Sequence, residues 1–197
     1  MKRVAILISG TGSNMVALSQ AMTGDFPARP VLVISDVLDA PGLARARAAN
    51  TPTFAVARKD FASKAEFEAA IDRALTAARA DIVCLAGFMR VLSPAFCERW
   101  SGRMLNIHPS LLPRYPGLDT HARALAAGDA RHGCTVHEVT EDLDAGPIRG
   151  QGRLDIGPDD TAETLRTRVQ RLEHRLYPEV LRRMAEGRAE PVILEER

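Results

Sequence analysis

Apolar runs of strand length alternate with segments of helical period through most of the chain, and this alternation constrains the fold more than any other feature. VAILIS (4–9) reads as a buried strand, and SNMVALSQAM (13–22) as the helix that follows it. VLVIS (31–35) is a second strand, followed by the helix GLARARAA, and TFAV a short third strand. Between Lys64 and Ala78, Phe67, Ile71, Leu75 and Ala78 recur at helical spacing. IVCLA (82–86) and MLNIH (104–108) are further strands. Strand–helix alternation predicts an α/β fold: a mostly parallel sheet flanked by helices on both faces. The last part differs. GCTVHEVT and IRGQGRLDI, with only a turn between them, predict an antiparallel strand pair. Asp159, Asp160 and Thr161 then open a long final helix with Leu165, Val169, Leu172 and Leu176 on one stripe, and Pro178 is expected to kink it or end it early. No linker, repeat or low-complexity segment divides the chain, so residues 1–197 are expected to form a single domain.

Charge and composition narrow the partners. A net charge of +1 offers no general basic field for nucleic acid or an anionic membrane. No apolar run approaches the roughly 20 residues needed to span a bilayer. The start, MKRVAILISGTG, resembles a signal peptide, but its apolar run is short and breaks at Gly10 with no small-residue cleavage site beyond it. Cys84, Cys97 and Cys134 are an odd number at unrelated spacings, which argues against a disulfide framework and fits a reducing, cytoplasmic setting. The expected partners are small molecules, not nucleic acid or membrane.

Four stretches carry candidate chemistry. In ISGTGSNM (8–15) a strand ends, two glycines bracket Thr11, and Ser13-Asn14 can cap a helix. Backbone N–H groups and the helix's positive end would then meet at one point, which suits a phosphate. A dinucleotide is the rival ligand. Gly10 and Gly12 fit G-x-G-x-x-G, the third position is Met15, and Asp36 at the end of the second strand keeps that reading open; a simple capped turn is the third possibility. HGCTVH (132–137) suggests a metal site, but strand alternation separates Cys134 from Thr135 and His137, and His132 precedes a glycine at the strand's entrance, so no metal is expected. His137, with Thr135 on its face, is either a satisfied structural histidine or a polar group beside a reaction centre.

In LNIHPSLLPRYPG (105–117), Asn106 and His108 stand two apart at the end of a strand and so point to one side. EDLDAGP (141–147) is a turn with three carboxylates, and one of them meeting His108 would favour the imidazolium and raise its pKa. In open α/β sheets ligands sit beyond the carboxyl ends of the strands, where Gly10–Asn14, Gly87–Arg90 and Asn106–His108 all fall. An amide beside a protonatable imidazole is suited to stabilising an oxyanion in acyl transfer. No G-x-S-x-G elbow or cysteine nucleophile motif is present, so the nucleophile is expected to be a bound substrate.

VAILISGTGSN, DIVCLAGFMRVLSP, LNIHPSLLPRYPG, HGCTVHEVTEDLDAGPI and QRLEHRLYP together resemble the phosphoribosylglycinamide formyltransferase family, folate-dependent enzymes of purine biosynthesis, over nearly the whole chain. The resemblance implies a Rossmann-like α/β domain. It implies direct transfer of the formyl group of 10-formyltetrahydrofolate, a co-substrate, to the amine of glycinamide ribonucleotide, with no metal. It assigns Asn106, His108 and Asp144 to catalysis, and Thr11, Gly12, Ser13, Asn14 and Met15 to the nucleotide's phosphate. Gln170 and Glu173 match positions on the ribose and glycinamide side, and Lys64, Met89, Arg90, Val91 and Leu92 match folate-contacting positions together with Asn106. Lys64 replaces an expected arginine, and so brings a point charge without a bidentate fork. Asp119 replaces an expected histidine, while His121 is retained. Formyltetrahydrofolate deformylase and methionyl-tRNA formyltransferase share the core motifs, but each carries an additional terminal domain for which this chain is not expected to have room.

Overall fold

The computed structural model describes residues 1–196, and contacts divide the chain into two compact units, Met1–Leu105 and Asn106 onward. The fold is α/β, with mostly parallel strands flanked by helices, one antiparallel pair and a long last helix.

In the first unit β1 (Lys2–Ile8) lies between β2 (Ala28–Ser35) and β4 (Ile82–Leu85), with β3 (Thr53–Ala55) beyond β2, and all three pairings are parallel. Val4 to Ile8 are fully buried, as expected of a central strand covered on both sides. The connections are α1 (Ser13–Ala21), α2 (Pro41–Ala48) and α3 (Lys64–Ala77). On α3, Phe67, Ile71 and Leu75 bury the predicted stripe, and the Ser63 hydroxyl accepts from Glu66 N–H as the N-cap. A short helix, α4 (Pro94–Arg99), was not legible as such; Ser93 caps it and Pro94 pre-sets its first turn.

The strand β5 (Met104–His108) carries the chain into the second unit, which holds α5 (Thr120–Ala126), β6 (Arg131–Glu138), β7 (Ile148–Asp155), α6 (Ala162–Ala185) and β8 (Val192–Glu195). The β6–β7 pair is antiparallel as predicted, although a nine-residue loop joins the strands instead of a tight turn. β8 pairs parallel with β7 and was missed, because VILE near the chain's end is too short to separate from a tail. Pro178 does not end α6, which runs on to Ala185. A proline in a helix interior costs about 3 kcal/mol. Leu176, Tyr177, Val180 and Leu181 on either side of it are all buried, each stabilising by about 1.5–3 kcal/mol, so packing outweighs the lost hydrogen bond.

Candidate active site

Asn106 and His108 flank buried Ile107 at the end of β5, and their side chains meet one polar cluster in the second unit. Asn106 Nδ2 lies 3.2 Å from His137 Nε2, and His137 Nδ1 lies 2.8 Å from the Glu138 carbonyl. A carbonyl only accepts, so Nδ1 carries the ring proton and Nε2 accepts from the Asn106 amide. Asp144 stands between the two imidazoles: its Oδ2 is 3.4 Å from His108 Nδ1 and its Oδ1 is 3.7 Å from His137 Nε2. Gly117 N–H donates to Asp144 Oδ2 at 2.9 Å. Asp144 has φ 53°, a left-handed conformation that aspartate tolerates. Its side chain is 6% exposed, whereas Glu141 and Asp142 of the same loop point outward, so only one of the three carboxylates enters the cluster.

His108 Nε2 is 2.9 Å from the Tyr115 carbonyl, so Nε2 is the protonated nitrogen and Nδ1 faces the Asp144 carboxylate. Burial lowers the His108 pKa below 6.5; the Tyr115 hydrogen bond and the Asp144 charge oppose this without overcoming it. The expectation of a raised His108 pKa is therefore corrected: the carboxylate acts in the expected direction, but desolvation is larger. Burial pushes the Asp144 carboxyl up, yet the His137 and His108 imidazoles in their protonated forms, with the Gly117 N–H, hold it below its ordinary 3.8.

Thr135 lies on the same strand but serves the loop after β5. Its hydroxyl donates to Ser110 O at 2.7 Å and accepts from Leu112 N–H at 3.0 Å, and Gln151 Nε2 donates to Leu112 O at 2.9 Å. The β6–β7 register shifts between Val136 and His137, so strict alternation does not set where His137 points. The three ligand-type residues of HGCTVH go separate ways: His132 Nε2 meets His121 Nδ1 at 3.0 Å, Cys134 is buried with its thiol pushed up by desolvation, and His137 serves Asn106. No group of three or more His, Cys, Asp or Glu among the described residues could hold a metal ion. Asp119 precedes α5 in a left-handed conformation and makes no side-chain cap. On α6, Gln170 is exposed and Glu173 buried.

In the first unit, Gly12 is the N-cap of α1 with φ 70°, so Ser13 and Asn14 occupy the first helical turn instead of the cap position. A Cβ on Gly12 would come within 3.0 Å of Met15 Cε and 3.2 Å of Gly42 Cα, and Gly42 N–H donates to Gly10 O at 3.1 Å. The loop is thus packed against the start of α2. Thr11 is exposed, whereas Met15 is 1% exposed with its side chain in the core, which leaves only its backbone to face a ligand.

Asp36 does not wait for a ribose. Its carboxylate accepts from the Ser9 hydroxyl at 2.5 Å and from Arg90 Nε at 2.6 Å, and Ser9 Oγ in turn accepts from Met89 N–H at 2.8 Å. Together with the missing third glycine, this removes the support for a dinucleotide. The loop after β4 therefore lies beside the end of β1, as the strand-end argument predicts for these two segments. Met89 and Val91 are 67% and 61% exposed, and Leu92 is buried. Lys64, Arg58, Phe67, Glu68, Met89, Arg90 and Val91 line a cleft of about 310 Å³, which brings four of the six positions matched to folate onto one surface; Leu92 is buried and does not line it. The parts of these clusters that sequence reasoning missed are two backbone groups, Tyr115 O and Gly117 N–H, and two side chains, Ser9 and Glu68. The YPG turn and the polar residue after β1 were the signals for the first three, and Glu68, inside α3, had none.

The formyl transferase family profile matches residues 2–181. The phosphoribosylglycinamide formyltransferase of Haemophilus influenzae is 44% identical over 189 residues, covering 95% of this chain and 89% of that protein. The trifunctional purine biosynthetic protein adenosine-3 of Drosophila melanogaster is 48% identical over 191 residues, and this chain spans only 14% of its length. The crystal structure of phosphoribosylglycinamide formyltransferase from Brucella melitensis superposes with a TM-score of 0.91 at 55% identity, covering 94% of this chain and 96% of that one. With a family match over most of its length and relatives this similar, the chain belongs to the formyl transferase family.

Proposed function

We infer that the chain transfers the formyl group of 10-formyltetrahydrofolate to the amine of 5-phosphoribosylglycinamide, a step of de novo purine biosynthesis. The observation that carries this reading is the cluster at the end of β5, where one buried carboxylate stands 3.4 Å from His108 and the Asn106 amide is fixed by His137. That is the equipment of an oxyanion site, and it sits in a chain 44% identical to a protein named for this reaction.

The amine nitrogen attacks the formyl carbon, and charge develops on the formyl oxygen. Asn106 Nδ2 has a second N–H besides the one directed at His137, and that donor meets the oxyanion. His108 Nε2–H, which the Tyr115 carbonyl holds, is the donor for which the oxyanion competes; protonation of Nδ1 against Asp144 makes it charge-assisted. The bond from the formyl carbon to the folate nitrogen then breaks, and the proton lost by the amine goes to that nitrogen. The step uses side chains alone and requires no metal.

The remaining assignments belong to the same reading. Thr11 to Met15 hold the nucleotide's phosphate, mainly through backbone N–H groups, and Gln170 and Glu173 hold its ribose and glycinamide side. Lys64 and Met89 to Leu92, with Asn106, take the folate, and Thr135 and His137 support the catalytic groups. Residues 1–197 act as one formyltransferase domain on small-molecule substrates, not nucleic acid or membrane. The three cysteines are buried and form no disulfide, which fits a reducing cytoplasm.

The test is incubation with both substrates while folate absorbance is followed. Change that requires both substrates supports the reading. Saturable nucleotide binding with no turnover makes the chain a binding module and overturns it.

A further inference from the structure

The loop after β4 is suspended between two buried carboxylates, and neither is among the positions assigned above to substrate. At its start, Gly87 O accepts from Ser9 N–H at 3.0 Å, and Met89 N–H donates to Ser9 Oγ at 2.8 Å. The Ser9 hydroxyl donates to Asp36 Oδ1, and Arg90 Nε donates to Asp36 Oδ2. At its end, Ser93 N–H donates to Glu68 Oε1 at 2.8 Å, and the Ser93 hydroxyl donates to Glu68 Oε2. Both carboxylates are nearly buried: the Asp36 side chain is 3% exposed and that of Glu68 6%, while Arg90 is 45% exposed. The loop's apolar tips, Met89 and Val91, stand in solvent at the cleft.

We propose that Asp36 is a positioning residue for the folate-type donor: it joins Ser9 to Arg90, and so sets both the backbone of residues 87–91 and the direction of the Arg90 guanidinium. This rests on the reading of residues 89–92 as donor-contacting. The bond to Asp36 uses Arg90 Nε, so the two terminal nitrogens of the planar fork keep their donors for an anionic or carbonyl group of the ligand. A guanidinium tied at one corner to a buried carboxylate loses less rotamer freedom on binding than an untethered one. Asp36 therefore acts on donor affinity through Arg90 and Met89 and does not touch the reacting atoms.

The test is Asp36→Asn, which keeps the shape but places an N–H of the amide against Arg90 Nε or Ser9 Oγ. We expect KM for 10-formyltetrahydrofolate to rise by a factor of about ten, the scale of one lost charge-assisted hydrogen bond. KM for the nucleotide and kcat should stay close to the parent values. Combining Asp36→Asn with Arg90→Gln should be no worse than Arg90→Gln alone, because the two residues act as one unit. Amide hydrogen exchange at residues 87–91 should quicken in Asp36→Asn while the rest of the first unit is unchanged. Ser9→Ala is the second variant and should show the same split between the two KM values. An unchanged donor KM in a folded variant overturns the inference alone, as does an equal rise in both KM values. A parent chain that transfers no formyl group overturns the function reading and this inference with it.

Discussion

His108 is pulled in two directions: burial lowers its pKa, while the Tyr115 carbonyl and the Asp144 charge raise it. With burial prevailing, the neutral ring dominates at neutral pH, and in the proposed mechanism the Asp144 carboxylate is there to stabilise the imidazolium as substrate charge develops. Asp144→Asn keeps the side chain's shape but removes the charge, so the His108 pKa should fall further, with a lower kcat. Histidine NMR titration checks the first part and steady-state kinetics the second. No movement of His108 would show that Asp144 only shapes the loop. Asp142→Asn in the same loop is the control, and because that side chain points outward it should leave both quantities near parent values.

The elements divide into those legible from sequence and those hidden from it. β1, β2, β4 and α3 announce themselves because their apolar periods are set by burial alone. α4, α5 and β8 do not, since a six- or seven-residue helix or a four-residue edge strand carries too little pattern to stand out. The same contrast holds in the site. Asn106, His108 and Asp144 could be named because strand spacing and motif resemblance pointed to them, whereas Tyr115 and Gly117 contribute backbone groups, which any residue possesses. The helical cap at Ser13-Asn14 was misplaced by one residue because Gly12, a residue type accepted at the N-cap, turns into the helix with φ 70°. That geometry makes a prediction for the β1–α1 connection. Gly12→Ala puts a Cβ 3.0 Å from Met15 Cε in a left-handed conformation, which costs about 1–2 kcal/mol and displaces the N–H groups assigned to phosphate. KM for the nucleotide should rise well above any change in KM for the folate. Equal changes in both would contradict the phosphate assignment.

For the whole molecule, four of the five histidines, His108, His121, His132 and His174, titrate below 6.5 because burial disfavours their charged forms, with His132 lowered to about 4. The unfolded chain therefore binds more protons than the folded one between 6.5 and these lower values. Stability contributed by the neutral rings is fully present above 6.5 and is lost as pH falls from there toward 4. Thermal melts across pH 8 to 4 should show a nearly level Tm at the upper end and a steady fall below about 6.5. A Tm that rises on acidification would mean the imidazoles are charged in the fold. The central claim, that the cluster ending β5 stabilises the charge of formyl transfer, is tested most directly by His108→Ala. Steady-state kinetics on a variant with parent-like circular dichroism should show kcat reduced on the order of 10²–10³, with both KM values close to the parent's. A folded His108→Ala protein that keeps near-parent kcat would contradict the account.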